Sequence, residues 1–156
     1  MSVLTNNEAG RGWTHIKVIQ GVDLTESTDS TAQTIPVAVI PAGSIVEAVA
    51  VKLVTAFDDS GSGSYLNVIV GDTDNDNGYI ESWEIHTDQG NSTAQVINGA
   101  YLNDSTTNNV VNGKLYDGTA NVLNAILTPA ASGGAYNLAE CTAGELRVYA
   151  RIAELV

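Results

Sequence analysis

The clearest pattern in this chain is an alternation of apolar and polar residues near its C-terminus. Two interleaved sets make up the segment: Leu146, Val148, Ala150 and Ile152 in the first, and Glu145, Arg147, Tyr149 and Arg151 in the second. Successive side chains of a β-strand point to opposite faces, so a period of two indicates a strand that is buried on one side only. The segment Gly144 to Ala153 is therefore predicted to be a half-buried closing strand.

A second long segment, Ser44 to Phe57, follows a turn at Pro41-Ala42-Gly43 and is apolar on both faces apart from Glu47 and Lys52. One predicted face carries Ile45, Val49, Val51 and Leu53, and the other carries Val46, Ala48, Ala50 and Val54. Such a strand is central in the fold or is covered by another subunit, which predicts a homo-oligomer. We expect Tyr65 to Val70 to pair with it antiparallel, with Leu66, Val68 and Val70 facing inward.

Shorter segments complete an all-β pattern of about eight strands, at the spacing expected for a sandwich or jelly roll. The remaining strand candidates are 15–20, 35–40, 94–102, 110–116 and 121–128, and 79–87 is either a strand or a short helix. Pro36 favours an edge position or a strand start for 35–40. We predict a single-domain β-sandwich or jelly-roll-like barrel over residues 13–156, preceded by an extended N-terminal arm over residues 1–12.

Composition narrows the functional classes. Six Lys and Arg against eighteen Asp and Glu give a net charge of −12, which opposes binding to nucleic acid. No apolar run approaches the roughly 18 residues that a membrane span needs, and the N-terminus carries no signal-peptide pattern. The single cysteine, Cys141, precludes an intrachain disulfide and is interpreted as a small buried residue rather than a nucleophile.

The segment from Asp72 to Gly78 is the one motif with a chemical character. Asp72, Asp74 and Asp76 alternate with polar residues and could supply the oxygen ligands that Ca²⁺ prefers. The spacing departs from the calcium-loop template at either its glycine or its first aspartate. The alternative is a turn in which Asp and Asn side chains accept hydrogen bonds from their own backbone.

No catalytic constellation is recognisable in the sequence, and we expect a protein that is not an enzyme. There is no nucleophile elbow, phosphate-binding glycine loop or dinucleotide fingerprint, and His15 and His86 are interpreted as strand residues. Trp13 and Trp83 form either a sugar-stacking pair or two hydrophobic anchors. Arg147, Tyr149 and Arg151 lie either at an interface or on a solvated face.

Several turn-and-strand motifs carry a resemblance to a known group of proteins. They are Ile40-Pro41-Ala42-Gly43-Ser44-Ile45-Val46, Thr55-Ala56-Phe57-Asp58, Leu66-Asn67-Val68-Ile69-Val70-Gly71-Asp72, Gly78-Tyr79-Ile80 and Gly144-Glu145-Leu146-Arg147-Val148. From about Ile35 to the C-terminus, the chain resembles the capsid decoration (cement) proteins of tailed bacteriophages. The resemblance brings no catalytic residue with it.

The resemblance implies a homotrimeric structural protein on the outer capsid surface of the virion, where it would bridge major capsid subunits. The residues expected to contact the capsid or a neighbouring subunit are Val3, Leu4, Arg11, Trp13, Arg147, Tyr149 and Arg151. Neither nucleic acid nor a membrane is expected as a partner, and no cofactor other than the calcium candidate. The alternatives are another virion accessory, such as a head fibre, tail or baseplate component, or a carbohydrate- or calcium-binding β-module.

Overall fold

The chain folds as two four-stranded antiparallel sheets packed face to face. The computed structural model describes residues 12–59, 65–86, 101–102, 113–130 and 136–155. Its strands are β1 His15–Gln20, β2 Gln33–Ile40, β3 Ser44–Asp59, β4 Tyr65–Gly71, β5 Ile80–Glu84, β6 Lys114–Tyr116, β7 Asn121–Ala130 and β8 Cys141–Glu154. The strand order is β1-β8-β3-β6 in the first sheet and β2-β7-β4-β5 in the second. The predicted all-β sandwich is confirmed.

One hydrophobic core lies between the two sheets. Inward-facing residues of the central strands are almost fully buried, among them Val51, Leu53, Leu66, Leu127 and Leu146. Burying a side chain of this size contributes about 1.5–3 kcal/mol relative to leaving it exposed. The core therefore supplies the main stabilisation of a domain that needs no disulfide.

The alternation in β8 is confirmed for its apolar set, whereas Tyr149 of the outward set is also buried, with an exposed fraction of 9%, where the Trp13 ring packs against it. Its apolar set is buried, with exposed fractions of 0% for Leu146, Val148 and Ala150 and 8% for Ile152. The inward positions predicted for β4, Leu66, Val68 and Val70, are also fully buried.

Two further predictions about single strands are resolved by the sheet order. β2 lies at an edge of the second sheet, as Pro36 predicted, and its register against β7 shifts just after that proline. Residues 79–87, for which a short helix was the alternative, contain strand β5 and an isolated bridge at His86.

The predicted pairing between 44–57 and 65–70 is wrong. β3 pairs with β6 and β8 in the first sheet, whereas β4 pairs with β5 and β7 in the second. Apolar alternation indicates which face of a strand is buried, but it does not identify the neighbouring strand. The two segments are consecutive in sequence and nevertheless contribute to opposite sheets.

The predicted faces of β3 are wrong at its beginning. The register against β8 shifts between Val46 and Ala48, so Val46 shares the buried face with Val49 and Val51, while Ile45 lies on the other side. A bulge inserts one extra residue and reverses the alternation on one side of it. The outward face of β3 is broken by exposed Glu47 and Lys52 and is less apolar than the prediction required.

Some predictions lie outside the described residues. These are the arm up to residue 11, most of the predicted strand 94–102, and the start of the predicted strand 110–116. Within the described part of the chain, the only helical segments are short 3₁₀ turns at Gly21–Asp23 and Leu138–Glu140. No helix there is long and apolar enough to span a bilayer.

Candidate functional site

The outward face of the first sheet brings together the described residues that were predicted to make contacts. Tyr149 of β8 lies opposite Ile16 of β1 on one side and opposite Ala50 of β3 on the other. Directly opposed residues in an antiparallel sheet project from the same face. We call the surface formed by Trp13, Ile16, Val18, Ala50, Arg147, Tyr149 and Arg151 the outer face.

Trp13 is held over this face by the residue that follows it. The backbone N–H of Thr14 donates to the carbonyl of Ala150 at 3.0 Å, and the Thr14 hydroxyl accepts from the N–H of Ile152 at 2.9 Å. These bonds continue the ladder between β1 and β8 by one residue. The Trp13 ring consequently lies 5.7 Å from the Tyr149 ring, centroid to centroid, at an interplanar angle of 45°. Trp13 is therefore half-buried and packed against Tyr149, and its role as a contact residue stays a prediction.

Both arginines of the outer face are oriented by carboxylates. Arg151 Nε lies 2.9 Å from Glu47 Oε2, and Arg147 Nε lies 2.8 Å from Glu145 Oε1. The hydrogen bond that Arg147 donates to Glu145 raises the pKa of Arg147 above its usual value. Exposed pairs of this kind contribute about 0–1 kcal/mol to stability, so their main consequence here is to fix the direction of two guanidinium groups.

The combination of residues on the outer face is typical of protein-binding surfaces. Tryptophan, tyrosine and arginine are the residues most enriched among the energetically dominant positions of protein interfaces. Of the predicted contact residues, the structure brings together Trp13, Arg147, Tyr149 and Arg151. Val3, Leu4 and Arg11 lie outside the described residues.

A separate polar cluster surrounds Asp72 at the end of β4. The side chain of Asp72 has an exposed fraction of 0%, and its Oδ2 lies 2.6 Å from Lys114 Nζ and accepts a short hydrogen bond from the Tyr116 hydroxyl. Tyr101 donates to Oδ1 at 3.2 Å. The Lys114 ammonium also reaches Asp74 Oδ2 at 2.7 Å. We call Asp72, Asp74, Tyr101, Lys114 and Tyr116 the Asp72 cluster.

The ionisation of this cluster is set by burial and by hydrogen bonds that act in opposite directions. Burial disfavours the Asp72 carboxylate, but hydrogen bonds from Lys114, Tyr116 and two backbone amides outweigh it and hold the Asp72 pKa below its usual value. Burial likewise opposes the charge on Lys114, yet its bonds to Asp72, Asp74 and Tyr101 raise the Lys114 pKa. The pair is therefore ionised at neutral pH, with the charge on Lys114 close to both carboxylates.

The acidic loop contains the local side-chain-to-backbone hydrogen bonds that the turn interpretation predicts, although Gly78 has no positive φ. The backbone N–H groups of Asp74 and Asn75 both donate to Asp72 Oδ1 at 2.9 Å, and the Asp72 N–H donates to the Asn75 carbonyl at 3.0 Å. These are the local bonds by which aspartate stabilises a turn. The calcium site at Asp72, Asp74 and Asp76 stays a prediction. The Lys114 ammonium already lies between the Asp72 and Asp74 carboxylates, at the position that a calcium ion bound by both would occupy.

Millimolar Ca²⁺ is expected to leave the melting temperature of the protein unchanged. A calcium ion would have to displace Lys114 from Asp72 and Asp74, which weakens its affinity for this site. A ligand raises the melting temperature only when its concentration exceeds its dissociation constant from the native state. Thermal unfolding after removal of divalent ions, with and without added Ca²⁺, provides the measurement. A rise of several degrees that Asp74→Ala abolishes would instead establish the calcium site.

The remaining single residues from the sequence have structural surroundings. Trp83 is 5% exposed and belongs to the core, so its ring faces are not accessible for stacking a sugar. Cys141 is buried, and burial, followed by the nearby carboxylates of Asp59, Glu140 and Asp58, raises the pKa of its thiol to about 11. Nucleophilic cysteines require a shift in the opposite direction. His86 is 1% exposed, whereas His15 is exposed on β1.

Comparison with known proteins adds no assignment: no family model, curated protein or solved structure matches the chain.

Sequence reasoning missed Lys114, Tyr116 and Tyr101 as partners of Asp72. They follow Asp72 by 42, 44 and 29 positions, and only the pairing of β6 with β3 brings Lys114 and Tyr116 to the loop. The one signal in the sequence was Lys114 itself, because the chain has only six Lys and Arg residues. Tyr116 follows it by two positions, which places both side chains on the same face of a strand.

Proposed function

We propose that this protein is a structural virion component that decorates the outer surface of an icosahedral phage capsid and bridges major capsid subunits. The observation that supports the proposal most is the outer face, where Trp13 packs on Tyr149 between two oriented arginines. A decoration protein performs no chemistry and depends on such a surface. An interface of standard size, on the order of 1,600 Å², gives large total stabilisation when it is repeated over a shell.

Charge and architecture are consistent with this role. The net charge of −12 opposes contact with packaged DNA and suits an outward position on the particle. The sandwich presents the outer face from paired strands rather than from loops, which keeps the anchors in fixed positions. The homotrimer implied by the resemblance is part of the proposal. The exposed charges of Glu47 and Lys52 disfavour the outward side of β3 as the trimer interface.

The second candidate is another virion accessory, such as a head fibre, tail or baseplate component. It would use the same protein-binding face and differs only in the structure to which the face attaches. A carbohydrate-binding role is less well supported, because one of its two tryptophans is buried in the core.

Trp13→Ala should weaken attachment to capsids by at least about tenfold. Truncating an aromatic hot-spot residue typically costs 2 kcal/mol or more, and about 1.4 kcal/mol corresponds to a factor of ten. Co-sedimentation of the purified protein with particles that lack it measures the affinity. Arg151→Ala tests the same face at a second position.

Val22→Ser is a suitable control for these variants. Val22 is 77% exposed in the 3₁₀ turn Gly21–Asp23 that follows β1, at the opposite end of this strand from Trp13, so the substitution removes exposed apolar surface outside the outer face. We expect it to bind as the wild type does. Wild-type protein that binds tail structures but not capsids would favour the accessory role. Normal capsid attachment by both Trp13→Ala and Arg151→Ala would show that the outer face is not the contact.

A further inference from the structure

A second cluster of ionisable side chains lies at the C-terminal end of β3. Asp58 and Asp59 are the last two residues of β3, and His86 follows β5 by two positions. The backbone joins these segments, because Phe57 and His86 form a parallel bridge and the Phe57 N–H donates to the Ile85 carbonyl at 2.9 Å. β3 belongs to the first sheet and β5 to the second, so the cluster lies where the two sheets meet.

An irregularity in β3 explains how two consecutive aspartates approach the same histidine. Adjacent strand residues normally project to opposite faces. The register of β3 against β8 shifts between Thr55 and Asp58 and again between Asp58 and Asp59. Bulges redirect side chains in this way and occur often beside functional sites. One ligand atom from each of Asp58, Asp59 and His86 consequently lies within 4.8 Å of the other two.

The distance within the buried part of the cluster fits two ligands of one metal ion. His86 Nε2 and Asp59 Oδ1 are 3.3 Å apart. Zinc bonds of about 2.0–2.1 Å in a tetrahedron separate neighbouring ligand atoms by about 3.3–3.4 Å. The same two atoms are joined by a hydrogen bond, so a metal ion would replace the proton between them. Asp58 is exposed and leaves a solvent path to the third ligand.

The surroundings hold these side chains and favour a cation. The His86 ring packs edge-on against the Tyr136 ring at 6.4 Å, and the His86 backbone N–H donates to Glu84 Oε1 at 2.8 Å. The side chains of His86 and Asp59 are only 1% and 3% exposed. The Glu84 carboxylate that accepts the bond from the His86 N–H, together with Asp58 and Asp59, places three acidic side chains at the cluster.

We propose that Asp58, Asp59 and His86 bind a divalent transition metal ion of the zinc class. One imidazole nitrogen and two carboxylates form a ligand set that suits zinc, and the two carboxylates neutralise its charge. A solvent molecule completes the coordination on the exposed side. The ion joins the end of β3 to the segment after β5 and so connects the two sheets. This inference does not rest on capsid binding and can hold or fail independently of it.

The test is thermal unfolding of the full chain, first stripped of metal with EDTA and then titrated with Zn²⁺ alone. Zinc at about one hundred times its dissociation constant should raise the melting temperature by about 5–10 °C, because it binds the native state. Calorimetry should give one ion per chain. Asp58→Asn should weaken zinc binding by more than about tenfold. Even substitutions of residues that only hydrogen-bond to metal ligands lower the metal affinity by about 10–100-fold. His86→Gln should do the same.

Control variants separate this cluster from adventitious binding. His15→Ala and Asp76→Asn each remove a metal-binding group elsewhere and should retain the zinc response. Cys141→Ser should also retain it, because the Cys141 thiol lies beside Asp59 but is not one of the proposed ligands. If His86→Gln does not fold, Asp58→Asn decides the question, because Asp58 is exposed and outside the core. The proposal is overturned if zinc leaves the wild-type melting curve unchanged, if Asp58→Asn responds as the wild type does, or if Cys141→Ser loses the response.

Discussion

Lys114→Met should lower the free energy of unfolding by about 3 kcal/mol, because removing one partner of a buried ion pair leaves the other charge uncompensated. Asp72 would remain with its side chain fully buried and without the ammonium that lies 2.6 Å away. The hydroxyls of Tyr116 and Tyr101 and two backbone amides still donate to it, which keeps the expected loss at the lower end of the usual range. Urea unfolding at neutral pH measures the change.

Asp74→Asn is the matched control for Lys114→Met. Asp74 also pairs with Lys114, at 2.7 Å, but its side chain is 66% exposed. An exposed pair contributes about 0–1 kcal/mol, so this variant should unfold close to the wild type. Equal losses in the two variants would contradict the view that Asp72, rather than the exposed carboxylate, depends on Lys114.

The stability difference between Lys114→Met and the wild type should depend on pH. The folded pKa of Asp72 is below its unfolded value, so its stabilisation is fully present above the unfolded pKa of about 3.9 and is lost as the pH falls through the folded pKa. In Lys114→Met, burial would no longer be opposed by the ammonium, and the Asp72 pKa should rise. The difference between variant and wild type should therefore be largest at neutral pH and shrink in acid. A difference that stays constant between pH 7 and pH 3 would show that the loss has another origin.

The parts of the fold that could be predicted from the sequence are those that depend on local alternation. In β8 and β4, each side chain's face follows directly from its position, because the strands are regular where they cover the core. The same logic failed in β3, where a shift after Val46 reverses the faces. No residue type at that position indicates a bulge. The bulge depends on how β3 pairs with β8, which lies about a hundred residues further along the chain.

The candidate sites show the same limit. Arg147 and Tyr149 could be placed together from the sequence because they share one strand, whereas the partner of Arg151, Glu47, comes from β3. Asp72 was recognised as part of an acidic loop, but the lysine that determines its chemistry lies 42 positions away. His86 and the aspartates of β3 have no spacing that resembles a metal motif. Topology creates these groupings, and periodicity does not encode topology.

Gly113→Ala should destabilise the fold by about 3 kcal/mol or more, since backbone strain and overpacking each cost about 1–3 kcal/mol. Gly113 directly precedes β6 and has a φ of +95°, a conformation that favours glycine. A Cβ at this position would lie well inside contact distance of the Val46 carbonyl oxygen. The substitution therefore pushes β6 away from β3, although β6 carries Lys114 and Tyr116 to Asp72.

Gly118→Ala is the control for this last prediction, because a Cβ there meets nothing within 4 Å and the residue has no positive φ. Its melting temperature should stay close to that of the wild type. Gly113→Ala and Lys114→Met should also combine less than additively, because both disturb the contact between β6 and Asp72, and coupled sites depart from additivity. Full additivity in the double variant would mean that Gly113 does not position the Asp72 cluster. If Gly113→Ala and Gly118→Ala had the same melting temperature, the close approach of β6 to Val46 would not be needed for the fold.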